Sequence, residues 1–278
     1  MRVAVVGHVE WVQFAHVERV PRPGEIVHAL DAWEEVGGGG AVAAVQLAKL
    51  AGTADFFTAL GDDELGRRSV AQLSEHGVRP HVAWRPPPQR RAFTFTDRDG
   101  ERTITVIGER LVPVGSDPLP WGELSGADAV YFTGGDPAAL RAARAARLLV
   151  ATPRAREPLS SAGVVLDALV MSASDSGERV GEAEIEPAPR LVVSTAGSRG
   201  GHYAGAEGRS QSFRAAPLPG AVVDAYGCGD SFAAGLTFGL AAQRGVEHAL
   251  ELATRCGAAC LTGRGPYAGQ LRLSRTIG

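Results

Sequence analysis

The sequence predicts an α/β fold, with a mostly parallel central sheet between layers of helices and a small β lid. Three observations carry that expectation. Apolar runs of strand length alternate with helical segments along most of the chain. Helical segments stop at glycine, as at Gly52 and Gly77, where a cap needs no Cβ. Two stretches, about residues 9–34 and 82–108, break the rhythm, and the second carries the hairpin pattern FTFTDRDGERTITV. A chain of 278 residues can bury one large core, so it reads as one domain, 1–278, with those stretches forming the lid.

Each element follows from local pattern. Arg2–Gly7 is a buried strand. PRPGEIVHA contains Pro21 and Pro23, which confine it to an edge or a turn. Gly37–Gly40 opens a helix over AVAAVQLAKLAG, and ADFFTALG is the next buried strand. DDELGRRSVAQLSEHG suits a helix with Asp62 or Asp63 near its start. AVYFTG is a strand, and DPAALRAARAARLL a helix capped by Asp136 with Pro137 in its first turn. VVLDALVMS and LVVSTAG are strands, and AGAEGRSQSF a small hairpin. Helices over Gly229–Ala242 and Val246–Leu261 close the chain.

Composition excludes several classes. Hydrophobic residues make up 45% and charged residues 21%, ordinary for a globular protein. A net charge of −3 gives no electrostatic case for nucleic acid. No apolar run approaches the ~20 residues of a membrane span, and the N-terminal apolar segment is too short for a signal peptide. Cys228, Cys256 and Cys260 form a sparse set that points to a reducing, cytoplasmic setting. Lys49 is the only lysine, and no GxxxxGK[ST] loop exists. Any nucleotide must be held by backbone amides, helix ends and arginine.

Four features carry chemistry. GCGD, Gly227 to Asp230, puts a glycine turn before a helix, which makes an anion site of the helix N-terminus. An acid beside an anion site repels the anion unless it has a task, such as taking a proton from an attacking hydroxyl. The plain alternative is an Asp cap after a tight turn. STAGSRGG, Ser194 to Gly201, follows an apolar strand and belongs at the carboxyl edge of a parallel sheet, where ligands bind, or is an ordinary connection between elements. The Gly37–Gly40 run permits close ligand approach, or simply tight helix–strand packing. Ser172, Ser174, Asp175 and Glu178 follow a strand and suit Mg²⁺ held through water, or a solvated helix start.

DAYGCGDSFAAG resembles the C-terminal signature of the ribokinase-like (PfkB) carbohydrate kinases, DTxGAGDxFxAG. GGGGAVAA resembles their N-terminal signature, GGxGANxA, and PRPGE, GDDELG, the RDGERT hairpin and STAGSRGG follow in the family's order. The resemblance implies a three-layer α/β/α ribokinase-like fold. It also implies transfer of the ATP γ-phosphate to a hydroxyl of a sugar, polyol or nucleoside. Asp230 is then the catalytic base, and the amides of Gly227, Cys228 and Gly229 the anion hole. Thr195, Gly197, Gly200, Ser172, Thr254 and Gly257 fall on the nucleotide side, and Asp224 begins a loop that lies near a monovalent cation (K⁺) in many relatives. Glu10, Val12, Gly37, Gly38 and Val42 fall on the substrate side, and Asp175 is the candidate acid for Mg²⁺ through water. A homodimer through the lid is also implied, with Val12, Phe14 and Trp33 either covering substrate or packing on a second subunit.

The departures from the family pattern are informative. Val42 stands where the first signature has asparagine, and Val12 where an aspartate often binds sugar hydroxyls. Glu10, Trp11 and Gln13 are the neighbours able to substitute. Ala225 replaces a threonine, and Ser172 to Asp175 replaces the NxxE motif. The alternative is a non-catalytic relative that binds a ligand as sensor or regulator. A dinucleotide-binding oxidoreductase is a weaker third reading, because GxGxxG is absent after the first strand.

Overall fold

The computed structural model describes residues 1–178, 180, 184–205 and 208–273. The chain opens with β1 (Val3–Val6), then β2 (Glu10–His16) and β3 (Asp31–Gly37). Helix α1 (Gly39–Ala51) starts at Gly38, whose φ of 85° is open to glycine, and stops at Gly52. Strand β4 (Ala54–Gly61) is buried along its whole length. Helix α2 (Glu64–Glu75) is capped by Asp63, which accepts from Gly66 N. Strands β5 (Val78–Arg85), β6 (Arg91–Thr96), β7 (Arg102–Ile107) and β8 (Ala129–Phe132) follow. Helix α3 (Pro137–Ala143) has its cap at Asp136, and β9 (Leu149–Ala151) and α4 (Arg156–Ser161) come next. The remaining elements are β10 (Ala168–Ser172), β11 (Leu191–Thr195), β12 (Gly201–Gly205), β13 (Ser210–Phe213), α5 (Cys228–Ala241) and α6 (Val246–Cys260).

The large sheet has the order β13-β12-β11-β10-β9-β8-β1-β4-β5, with only β12 and β13 antiparallel to their neighbours. Alternate residues of β1 feed two cores, because successive side chains leave opposite faces of a strand. Val3 and Val5 face one shared with α1, α5 and α6, whereas Ala4 and Val6 face one shared with α3 and α4. That arrangement makes the three layers. A second, four-stranded sheet, β3-β2-β6-β7, forms the small β layer expected of the lid.

Several elements differ from the expectations. Residues 82–85 belong to β5 of the large sheet, pairing with β4, so the second insertion joins the small sheet only at Arg91, after the prolines at 86–88. The helix expected over DPAALRAARAARLL ends at Ala143. Leu149–Ala151 is instead a strand between β8 and β10, since burying it in mid-sheet outweighs its helical pattern. Helix α4 was not anticipated, and residues 164–167 precede β10 rather than belong to it. The expected small hairpin starts earlier, at Gly201, and its residues 206–207 lie outside the described residues. Val12 and Phe14 are buried. Phe14 stacks on Trp33 at 4.8 Å and meets Tyr226 edge-on at 5.1 Å, so these apolar lid residues pack within the chain.

Candidate active site

Strand β1 is flanked by β4 and β8, so the strand order reverses there. In open α/β sheets the crevice beyond such a reversal receives ligands. Gly7 and His8 leave β1, and Thr133 leaves β8, at this point. A side chain on Gly7 would strike Thr133 at 2.4 Å, so the two exits are in contact.

The anion end is made of backbone. Gly227 caps α5 with φ near 80°, and a Cβ there would meet Val42 at 2.8 Å. Ser231 N bonds back to Gly227 O at 2.9 Å, and Cys228 N makes a long 3.5 Å contact with Ala225 O. The first-turn amides of Gly229 and Asp230 have no backbone partner, as helix geometry requires. No atom lies within 4 Å of a Cβ placed on Gly229, so the turn is open above them.

Asp230 sits in that turn. A Cβ on Gly39 would lie 2.7 Å from its Oδ1, which brings the N-termini of α1 and α5 together around the carboxylate. Burial pushes the Asp230 carboxyl up to about 6, Glu178 adds to the shift, and Arg102 and Arg154 oppose it. A carboxylate poised there is charged at neutral pH yet basic enough to take a proton.

The acceptor end is made of side chains. Glu10 is buried, and a Cβ on Gly38 would touch its backbone N at 3.0 Å. Gly38 N donates to Tyr226 Oη at 3.0 Å, tying the end of β3 to the GCGD loop. Of the residues able to replace the missing aspartate, Glu10 alone faces this crevice. Trp11 is buried under Arg68 and donates to Glu34, and Gln13 is exposed. Val12 and Val42 are fully buried, Val12 against Gly37 and Val42 beneath Gly227, so both offsets point into packed apolar contacts.

The residues expected on the nucleotide side lie along β10, β11 and α6. Ser172 pairs in register with Thr195, placing SASD and STAGSRGG side by side at the carboxyl edge. Gly197 and Gly200 both have positive φ, and a Cβ on Gly200 would collide with Phe213 O at 2.1 Å. A groove of about 360 Å³ runs between the β12–β13 hairpin and α6, lined by Tyr203, Phe213, Pro217, Leu250 and Thr254. Gly257, one turn on, lies against Cys228 O, with 3.4 Å to a notional Cβ, so the groove leads toward the anion turn.

The acidic cluster resolves differently from its expectation. Asp175 pairs with Arg154 and caps Gly177 N at 2.8 Å, on an exposed rim. Glu178 is less exposed, pairs with Arg154 Nε at 3.0 Å, accepts from Ser172 N at 2.8 Å, and with Glu10 is one of two carboxylates that raise Asp230. Glu178 therefore fits the role of the inward acid better than Asp175. Asp224 accepts from Tyr226 N at 2.8 Å and Gly265 N at 3.2 Å and braces the loop, with no hydroxyl beside it at Ala225. Lys49 lies away from the site, donating to Tyr267 O, and burial lowers its ammonium to about 8.

His8, Thr133, Arg90, Arg110 and Tyr226 went unnoticed in the sequence. His8 and Thr133 were available from one rule, that residues just past β1 and β8 occupy the crevice. The arginines carried no local signal.

A family model, pfkB family carbohydrate kinase, matches residues 1–272. A ribokinase of Dictyostelium discoideum is 29% identical over 108 residues, 38% of this chain and 34% of that protein. An ATP-dependent ribose-1-phosphate kinase of Halopiger xanaduensis is 29% identical over 93% of this chain and 91% of its own. The Arabidopsis thaliana ribokinase solved with ribose and ATP superimposes with a TM-score of 0.70 at 21% identity, covering 97% of this chain and 96% of that one.

Proposed function

The chain belongs to the pfkB family of carbohydrate kinases, and we propose that it transfers the γ-phosphate of ATP to a sugar hydroxyl, with Asp230 as the base. The observation that carries this reading is the Asp230 carboxylate, raised to about 6 in the first turn of α5 beside unpaired amides. Asp230 takes the proton of the acceptor hydroxyl. The hydroxyl oxygen bonds to the γ-phosphorus, the bond to the β-phosphate oxygen breaks, and ADP leaves. The Gly229 and Asp230 amides, at the end of the helix dipole, stabilise charge on the transferring group. The groove beside Thr254 takes the base of the nucleotide, and Gly197 and Gly200 let its phosphates approach the backbone. The small sheet closes over the acceptor and excludes water.

The residues present fit Mg²⁺. Glu178 and Asp175 carry hard oxygen donors, the Ser172 and Ser174 hydroxyls lie 3.0 Å apart beside them, and Glu178 is close enough to burden Asp230 with like charge. When bound, Mg²⁺ neutralises phosphate charge, and Glu178 with Asp175 would hold it through water. Asp224 is occupied by amide donors, and its surroundings do not supply a donor set for K⁺.

The test is ADP release with ATP and Mg²⁺ across neutral and acidic sugars, polyols and nucleosides, on the parent protein and Asp230→Asn. Turnover should fall by about 10³-fold or more in the variant, with ATP affinity within threefold. A variant within tenfold of the parent removes Asp230 as base. ATP binding without turnover of any acceptor favours a non-catalytic ligand-binding relative.

A further inference from the structure

Arg90 and Arg110 stand at the two feet of the β6–β7 hairpin, one just before β6 and one just after β7. The feet are adjacent, since a Cβ on Gly108 would lie 3.9 Å from Arg90 Cα. Both side chains turn into the crevice beside His8 and Glu10. Arg90 Nε is ion-paired with Glu10 Oε1 at 2.9 Å.

Arg110 is the more unusual. Its Nη2 donates to His8 Nδ1 at 2.9 Å and Thr133 O at 2.7 Å, and its Nη1 to Arg154 O at 2.8 Å. All three acceptors are uncharged. Among the described residues no carboxylate lies within ion-pair distance of this guanidinium. A guanidinium only donates, so His8 Nδ1 accepts and the imidazole proton sits on Nε2. His8 is held neutral, its pKa lowered by burial and by Arg110, Arg90 and Arg154. Burial and the neighbouring Arg90 lower Arg110 itself to about 10. Two of the five N–H donors of Arg110, together with His8 Nε2–H, remain for a ligand.

Glu10 is paired with Arg90 and only partly offsets the charge of Arg110, which stays a desolvated cation held by neutral acceptors, costly unless a further anion completes it. The crevice is the one that holds Asp230. Thr133, whose carbonyl binds Arg110, is also the neighbour of Gly39, which touches Asp230 Oδ1. We propose that the acceptor is an anionic sugar, whose phosphomonoester or carboxylate group is bound by Arg110 and Arg90 with His8 while its free hydroxyl faces Asp230. The proposal rests on the kinase reading for the reaction, but not for the binding.

The experiment measures both. Titration calorimetry without ATP compares a neutral pentose, its 1- and 5-phosphate esters and a six-carbon aldonate. The coupled ADP assay then gives kcat/KM for each. At least one anionic sugar should bind tenfold tighter than the neutral pentose and be phosphorylated with at least tenfold higher kcat/KM. Preference for an ester assigns the site to a phosphomonoester, and preference for the aldonate to a carboxylate. Arg110→Gln should lower the anionic-to-neutral ratio tenfold or more, and Arg110→Lys should restore part of it. Arg90→Gln serves as a second variant, with the same expectation. Equal handling of neutral and anionic sugars overturns the proposal while leaving the kinase reading intact. So does an Arg110→Gln variant that weakens both alike, which is what an arginine merely sewing the hairpin foot to Thr133 would do. Binding of an anionic sugar that depends on Arg110, without turnover, supports the anion site and sinks the kinase reading.

Discussion

The anion turn and the acceptor crevice meet at Asp230, yet they are built from different materials. The turn consists of backbone: a glycine with φ near 80°, a helix end, and amides left free by helix geometry. The crevice consists of residues from four separated segments: His8 with Glu10, Arg90, Arg110 and Thr133. Backbone sites need a glycine pattern within a few residues. Side-chain sites need only that the fold bring the right groups together. The first kind leaves a compact signature in sequence and tolerates any acceptor.

Three perturbations would break or sharpen that contrast, beyond the Asp230 and arginine tests. The largest effect is expected at Gly39, where the two halves touch. Gly39→Ala puts a methyl group 2.7 Å from Asp230 Oδ1, and displacing a catalytic carboxylate by about 1 Å costs on the order of 10²-fold in kcat. Circular dichroism and thermal melting should show the fold retained. A kcat within twofold would mean that the carboxylate has room to move, and that the contact is not a constraint.

Tyr226→Phe is expected to act through stability. It removes the acceptor of Gly38 N, leaving a buried amide unsatisfied, at a cost of about 1–3 kcal/mol. Chemical denaturation measures that loss. An accompanying rise in KM for the acceptor, with ATP affinity unchanged, would show that the tie between lid and anion turn serves the crevice rather than the turn.

The smallest effect concerns pH. In the proposed mechanism Asp230 acts as the charged base, so kcat/KM should be present above about 6 and fall as pH drops through that value. Glu178 raises the Asp230 pKa by like charge, so Glu178→Gln should move this acid limb to lower pH, by less than about one unit. The comparison uses profiles normalised to their own maxima. An unmoved limb would place Glu178 too far from Asp230 to matter electrostatically.

Among the described residues no helix is long and apolar enough to cross a membrane. The apolar lid residues expected to be available to substrate or a second subunit are committed inside the chain: Phe14 to Trp33 and Tyr226, and Trp33 further to Arg264 at 3.9 Å. Their burial illustrates a limit of reading an insertion as a lid. Alternation along β2 and β3 tells that one face is apolar, but not that Tyr226, nearly two hundred residues away, supplies the surface that face covers.

By itself the sequence determined the alternation of strands and helices, the two places where that rhythm breaks, and the glycine turns at Gly38, Gly200 and Gly227. These are local properties, set by periodicity and by backbone conformations that only glycine adopts readily. Tertiary structure decided the rest. It made Leu149–Ala151 a strand because the mid-sheet position rewarded burial over helical pattern. It buried Glu10 while leaving Gln13 exposed, and it tied Glu178 to Ser172 N while Asp175 caps Gly177 N on the rim. It also set Arg90 and Arg110 side by side at the foot of a hairpin, where each charge takes its meaning from neighbours that no sequence window contains.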